Sequence, residues 1–331
     1  MSGVRVFAPG KLFVIGEYAV LDGERALVAA VDSGIECRLE PSVEGWRIDA
    51  PDLGVDAAIG DVSAESGASL LVRAIDVGVK AFPEIGPQRV TVRGRGDGVG
   101  KKVGLGGSAA TVVAILGALA ANSRRELDAP EHRRQIFELA LAAHRHHQRG
   151  RGSGADVAAS VYGGWIDYSI VDGGARVGAA AVPPGLELAA AWSGFSSDTA
   201  AGIESFDRIR GGRDAFLDRM RSGLARFWRA LERGDRAEML AALGDYGALL
   251  EDVATRLAPR LAPRMAELAR AAVGCGVVSK SSGAVGGDCV IALGFDPGRL
   301  AAARDAWRRL GAAVLDVGID VRGVRLIEAV G

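Results

Sequence analysis

Gly104-Leu105-Gly106-Gly107-Ser108-Ala109-Ala110 runs without a break into an apolar stretch that extends to Ala121. Its glycines permit a sharp turn and let the backbone approach a ligand closely. The helix that follows offers free N–H groups and the positive end of its dipole, so an anion is favoured there. The hydroxyl of Ser108 can reach a phosphate or the metal that accompanies it, although the same serine can simply cap the helix. The stretch is neither a G-x-x-x-x-G-K-[ST] loop nor a G-x-G-x-x-G dinucleotide fingerprint, and the chain has no H-R-D or D-F-G set.

Two more glycine-rich loops and one lysine join it. Gly152-Ser153-Gly154-Ala155-Asp156 places a carboxylate at the start of a short helix, where the dipole keeps it ionised. Asp156 can then accept a proton or orient a nucleophile, or it can be only a helix cap. Lys280-Ser-Ser-Gly-Ala-Val-Gly-Gly-Asp288 lies between two strands and can wrap an anion. Lys11 follows Ala8-Pro9-Gly10, where a rigid turn can aim it at a phosphoryl group. Each feature has an ordinary structural alternative. Their order along one chain is far more specific than any of them alone.

The 331 residues suffice for two domains with buried cores. Forty basic and 41 acidic residues leave a formal charge of -1, so nothing global argues for nucleic acid or an anionic membrane. Cys37, Cys275 and Cys289 form no C-x-x-C pair and read as free thiols of a reducing compartment. The apolar run to Ala121 is too short to span a bilayer, and no signal-peptide pattern precedes Lys11 and Glu17. A cytoplasmic protein is expected.

Apolar spacing predicts helices over 69–81, 109–121 and 131–147, a short one from Asp156, and three or more between Gly202 and Ala272. Val4–Phe7 and Leu12–Ile15 read as two strands around a Pro9-Gly10 turn, and 51–68 as an irregular connection. Further strands are expected over Leu27–Leu39, Val90–Val92, Gly164–Ile170, Leu188–Trp192, 288–293, 313–317 and 321–327. A change of texture places a soft boundary near residue 184. His144, His146 and His147 at a helix end lack the spacing of a metal motif and suit the negative end of a helix dipole.

Three ordered segments carry a resemblance: Ala8-Pro-Gly-Lys-Leu-Phe-Val-Ile-Gly-Glu-Tyr-Ala-Val-Leu21, Gly104-Leu-Gly-Gly-Ser-Ala-Ala110 and Lys280-Ser-Ser-Gly-Ala-Val-Gly-Gly-Asp-Cys289. Together they resemble the motifs of the GHMP kinases and span nearly the whole chain. Within that superfamily the chain most resembles the phosphomevalonate kinase branch. Glu17-Tyr18 points there, since mevalonate kinases more often carry histidine at the position of Tyr18.

The resemblance implies an α+β fold: an N-terminal domain (1–184) like ribosomal protein S5 domain 2, and a ferredoxin-like C-terminal domain (185–331). It implies ATP and Mg²⁺ as cofactors and phosphomevalonate as acceptor, in a monomer or homodimer. Gly104, Leu105, Gly106, Gly107, Ser108 and Ala109 are expected around the ATP phosphates, with Ser108 near Mg²⁺. Lys11 and Asp156 are expected to be catalytic. Lys102, Ser153, Ser197, Ser282, Gly283 and Ala284 are expected to hold substrate. Three departures stand out. Gly107 replaces a serine of the usual G-L-G-S-S, Val285 replaces a common glycine, and Asp198 replaces a serine in Trp192-Ser-Gly-Phe-Ser-Ser-Asp-Thr199. Mevalonate kinase, the related decarboxylase and an inactive nucleotide-binding protein are the alternative readings.

Overall fold

The computed structural model describes residues 3–63, 68–96, 103–148, 150, 152–195, 199–209, 213–283 and 288–329. Two sheets organise them. In the first, β1 (Val4–Ile15) pairs antiparallel with β2 (Ala26–Pro41), and β2 also pairs with β5 (Gln88–Arg95). The hairpin β3 (Arg47–Ala50) and β4 (Val55–Ala58) lies beyond β5, and β6 (Trp165–Val171) with β7 (Gly174–Ala179) branches from the start of β2. The last strand, β12 (Arg325–Ala329), returns to pair with β1. The C-terminal segment therefore closes the first sheet and does not stay with the second.

Residues 4–15 form one strand, where two around a turn are expected. Proline has no N–H to give a ladder and is tolerated at a bulge. Here Pro9 pairs with Gly34 but Gly10 pairs with Val31, so β2 bulges opposite them. The bulge exchanges the faces of β1. Before it, Val6 and Ala8 point into one core; after it, Leu12 and Val14 enter the other, while Phe13 packs on the first. A bulge commonly re-aims a side chain beside a functional site. This one turns Lys11 to the Phe13 side.

That side is covered by helices. α1 (Ser69–Ala81), with the bounds its spacing predicts, packs with α2 (Gly107–Asn122) and α3 (Pro130–His147), and α4 (Ala155–Tyr162) sits against β1. α2 is buried along Ala109–Ala120. Its small alanines and glycine let it run through the centre of the first core, packed against β1 and β2.

The second sheet has the order β11 (Ala313–Leu315), β8 (Glu187–Trp192), β10 (Cys289–Gly294), β9 (Val278–Ser282). β10 is buried on both faces, and its alternation serves two cores. Cys289, Ile291 and Leu293 join α6 (Arg213–Arg233) and α7 (Arg236–Leu257), which follow α5 (Thr199–Asp207). Val290 and Ala292 join α8 (Ala262–Val273) and α9 (Pro297–Arg309). Local chemistry starts two of these helices. Asp235 accepts from the Glu238 N–H and Asp296 from the Gly298 and Arg299 N–H groups, which satisfies donors a helix start leaves free. Strands and helices are thus mixed over two sheets, as the α+β expectation requires. Among the described residues no helix is long and apolar enough to cross a membrane.

Candidate active site

The glycine loop turns as its sequence demands. Gly104 has φ +80° and Gly106 φ +74°. A Cβ on Gly104 would lie 2.1 Å from Cβ of Asp288, and one on Gly106 would lie 2.8 Å from Cγ of Lys11. The bare backbone is what lets the loop sit between β1 and the start of β10. Lys11 binds it twice: its N–H donates to the Leu105 carbonyl at 2.8 Å, and its ammonium donates to the Gly104 carbonyl at 3.2 Å. The Lys11 ammonium also lies 5.7 Å from the centre of the Phe13 ring.

Lys11, Ser153, Asp156 and Gly283 border one cavity with Glu17 and Tyr18. Three segments distant in sequence therefore meet at one place: the end of β1 with the turn after it, the loop that opens α4, and the end of β9. Tyr18 holds φ +62°, a sparsely populated conformation for an aromatic residue, and its ring stacks on Phe206 at 4.4 Å. Ser153 is held by its carbonyl, which accepts from the Tyr168 hydroxyl at 2.6 Å and from Arg145 at 3.4 Å. Burial raises Tyr168 to about 12, so the phenol stays a donor.

Ser108, in the first turn of α2, is hydrogen bonded to Nε2 of His144 at 3.0 Å. Nδ1 of the same ring is 3.8 Å from the carboxylate of Asp156, which is 15% exposed, while the ring is fully buried. The sequence alone reads His144 as a charge at a helix end; the fold places it between the glycine loop and the carboxylate.

Other expected residues have different surroundings. Ser282 is buried and its hydroxyl donates to the Phe13 carbonyl at 2.9 Å, so it ties the two sheets. Lys280, considered for anion wrapping, is fully buried at 2.5 Å from Glu17. Burial pulls its pKa down against the opposing pull of Glu17. Glu17 and Lys280 thus form a strut that spacing does not reveal. Lys102, Ser197, Ala284, Asp198 and Val285 lie outside the described residues.

A separate cavity of about 730 Å³ opens between α1 and the end of α3, with Trp46, Ile59, Leu70, Ile75 and Val79 in its wall beside His146 and His147. Its lining is mixed, with Ser69, Arg73 and Asp76 among the apolar side chains. The helix α3 connects it to the Ser108–His144 contact.

The models for the GHMP kinases N terminal domain and the GHMP kinases C terminal match residues 69–164 and 228–313. A phosphomevalonate kinase of Streptomyces sp. (strain CL190) is 32% identical over 86% of this chain and 88% of its own length. One of Saccharolobus solfataricus is 29% identical over 98% and 99%. The phosphomevalonate kinase of Streptococcus pneumoniae, solved with phosphomevalonate and AMPPNP, superposes with a TM-score of 0.79. It is 24% identical over 96% of this chain and all of the other, a likeness that concerns the fold.

Proposed function

The chain belongs to the GHMP kinases, and on that premise we propose that it transfers the γ-phosphoryl group of ATP to the phosphate of 5-phosphomevalonate, giving 5-diphosphomevalonate and ADP. The observation that carries this reading is the convergence of Lys11, Ser153 and Asp156 on one cavity, with the Lys11 ammonium also bound to the Gly104 carbonyl of the glycine loop. Two relatives named phosphomevalonate kinase, each similar over most of its length, support the choice of acceptor.

In the proposed reaction an oxygen of the acceptor phosphate forms a bond to the γ-phosphorus. The bond from that phosphorus to the β,γ-bridging oxygen breaks, and ADP leaves. There is little covalent work for a protein here, so positioning and charge neutralisation carry the rate. The N–H groups at the start of α2 face the nucleotide phosphates. Lys11, already over the Gly104 carbonyl, neutralises charge on the group in flight. Asp156 orients the acceptor and takes any proton it still carries; a phosphate acceptor is largely ionised near neutral pH, so a strong base is not required. Ser153 and Gly283 border the acceptor's space. The cavity between α1 and the end of α3, reached along α3 from the Ser108–His144 contact, is the space assigned to the nucleotide base in this proposal.

The donors present fit a magnesium ion that arrives on ATP. Mg²⁺ keeps several waters and takes one or two protein ligands besides phosphates, one of which the Ser108 hydroxyl can supply. When bound, the ion would offset negative charge on the transferred group.

ADP release with Mg·ATP, measured in parallel with 5-phosphomevalonate and with mevalonate, tests the assignment. Release with the phosphorylated acceptor alone supports it. Release with mevalonate alone keeps the fold and reaction class and overturns the acceptor.

A further inference from the structure

We propose that His144 is a positioning residue that fixes the direction of the Ser108 hydroxyl and couples it to Asp156. The proposal deepens the kinase reading above and rests on it for the identity of the ligand, but the contact itself belongs to the protein alone.

His144 ends the buried stretch of α3, and its imidazole is fully buried. Burying such a ring without satisfying both nitrogens is costly. Nε2 lies 3.0 Å from Oγ of Ser108, and Nδ1 has no hydrogen-bond partner among the described residues. What Nδ1 faces is the Asp156 carboxylate, 3.8 Å away.

A neutral imidazole carries one N–H and one lone pair, and its neighbours decide which nitrogen has which. If Nε2 carried the hydrogen, the Nδ1 lone pair would point at a carboxylate, and like would face like. With the hydrogen on Nδ1, the N–H points at Asp156, and Nε2 accepts from the Ser108 hydroxyl. The geometry therefore selects the Nδ1–H form. The consequence falls on Ser108. Its hydrogen is committed inward to His144, so its oxygen lone pairs face the mouth of the glycine loop. A hydroxyl held that way is a ligand for a cation and a poor donor to a phosphate oxygen. The same ring restrains Asp156 from behind, as a second layer does for metal-binding groups. One imidazole thus links the nucleotide end of the site to the acceptor end.

Two measurements test this. The first needs no ligand. The chain has four histidines, so a long-range ¹H–¹⁵N spectrum with His144→Gln as the assignment control reads the tautomer of His144. Protonated Nδ1 with bare Nε2 is expected; the reverse tautomer, or a ring protonated at both nitrogens, overturns the proposal, whatever the substrate proves to be. The second is calorimetric titration without acceptor, using Mg·ATP and, separately, ATP in EDTA. His144→Leu should weaken Mg·ATP by about tenfold, in the range for losing a second-layer partner, and leave metal-free ATP within about twofold. His144→Gln can still accept from Ser108 and should hold Mg·ATP within about threefold. In a Ser108→Ala background the histidine change should cost nothing further. Equal weakening of both nucleotides, or a loss that persists in full without the serine hydroxyl, overturns the coupling. Should the leucine variant not fold, glutamine with and without Ser108→Ala decides: a full loss in His144→Gln contradicts the account. A wild-type protein that binds no ATP would sink the kinase reading and leave the tautomer result to decide this one.

Discussion

Lys280 in β9 and Glu17 in the turn after β1 form a fully buried ion pair, 2.5 Å between Nζ and Oε1. The pair bridges the two sheets. The Gly283 N–H leans on the same carboxylate oxygen at 3.4 Å, and the Tyr246 hydroxyl donates to the Glu17 carbonyl at 2.8 Å. Glu17 thereby sets where the third glycine-rich loop leaves β9, beside the cavity that Lys11 and Asp156 border.

Removing one partner leaves a buried charge uncompensated. Lys280→Met should cost about 3–5 kcal/mol, and adding Glu17→Gln should recover much of that loss. Urea unfolding of the two variants checks this. A single Lys280→Met variant as stable as wild type would refute the strut.

Gly104 needs a left-handed backbone and room against Asp288. Gly104→Ala meets both a strained φ and a Cβ neighbour close to the backbone, which cannot swing away. Destabilisation of about 2 kcal/mol or more is expected, with Mg·ATP affinity down. An unchanged unfolding midpoint together with wild-type affinity would show that the loop relaxes freely.

Asp156→Asn keeps the shape of the side chain and removes its charge. Turnover should fall about 100-fold or more if Asp156 takes part in proton transfer, with the KM for ATP little changed. Near-normal turnover at saturating substrate would remove Asp156 from the chemistry.

Tyr168 gives an alkaline signature. Its folded pKa is raised by burial from 10 to about 12. Between those values the unfolded chain has lost a proton that the folded one keeps, so stability is full below pH 10 and falls as pH climbs towards 12. Tyr168→Phe should lose about 1 kcal/mol at neutral pH with the bond to Ser153 and should flatten that alkaline decline. Melting curves from pH 8 to 11 test it; an unaltered decline in the variant would assign the effect elsewhere.

What was legible in the sequence was local. The apolar spacing of 69–81 marks α1 to the residue, and the glycines at 104–107 announce a turn into a helix. The missed features depend on partners distant in sequence. Pro9-Gly10 looks like a turn because the bulge that absorbs it belongs to β2, more than twenty residues later. The β3–β4 hairpin hides in polar sequence since its acidic and basic side chains pair across the strands, Arg47 with Asp56 among them. β7 is rich in glycine and alanine and takes its shape from β6. His144 reads as one of three histidines at a helix end because burial by α2 and α4 is not written in the spacing of α3. Its contact with Ser108 crosses 36 residues.

The proposed reaction is a transfer between two phosphates at the Lys11–Asp156 cavity. It is tested most directly by supplying ATP labelled with ¹⁸O in the γ-phosphoryl group, together with 5-phosphomevalonate, and weighing the products by mass spectrometry. The account predicts that the label appears in the terminal phosphoryl group of a diphosphate product, in one-to-one proportion with ADP, and that Lys11→Met abolishes it. Label found only in free phosphate, or incorporated only when mevalonate is the acceptor, would contradict it.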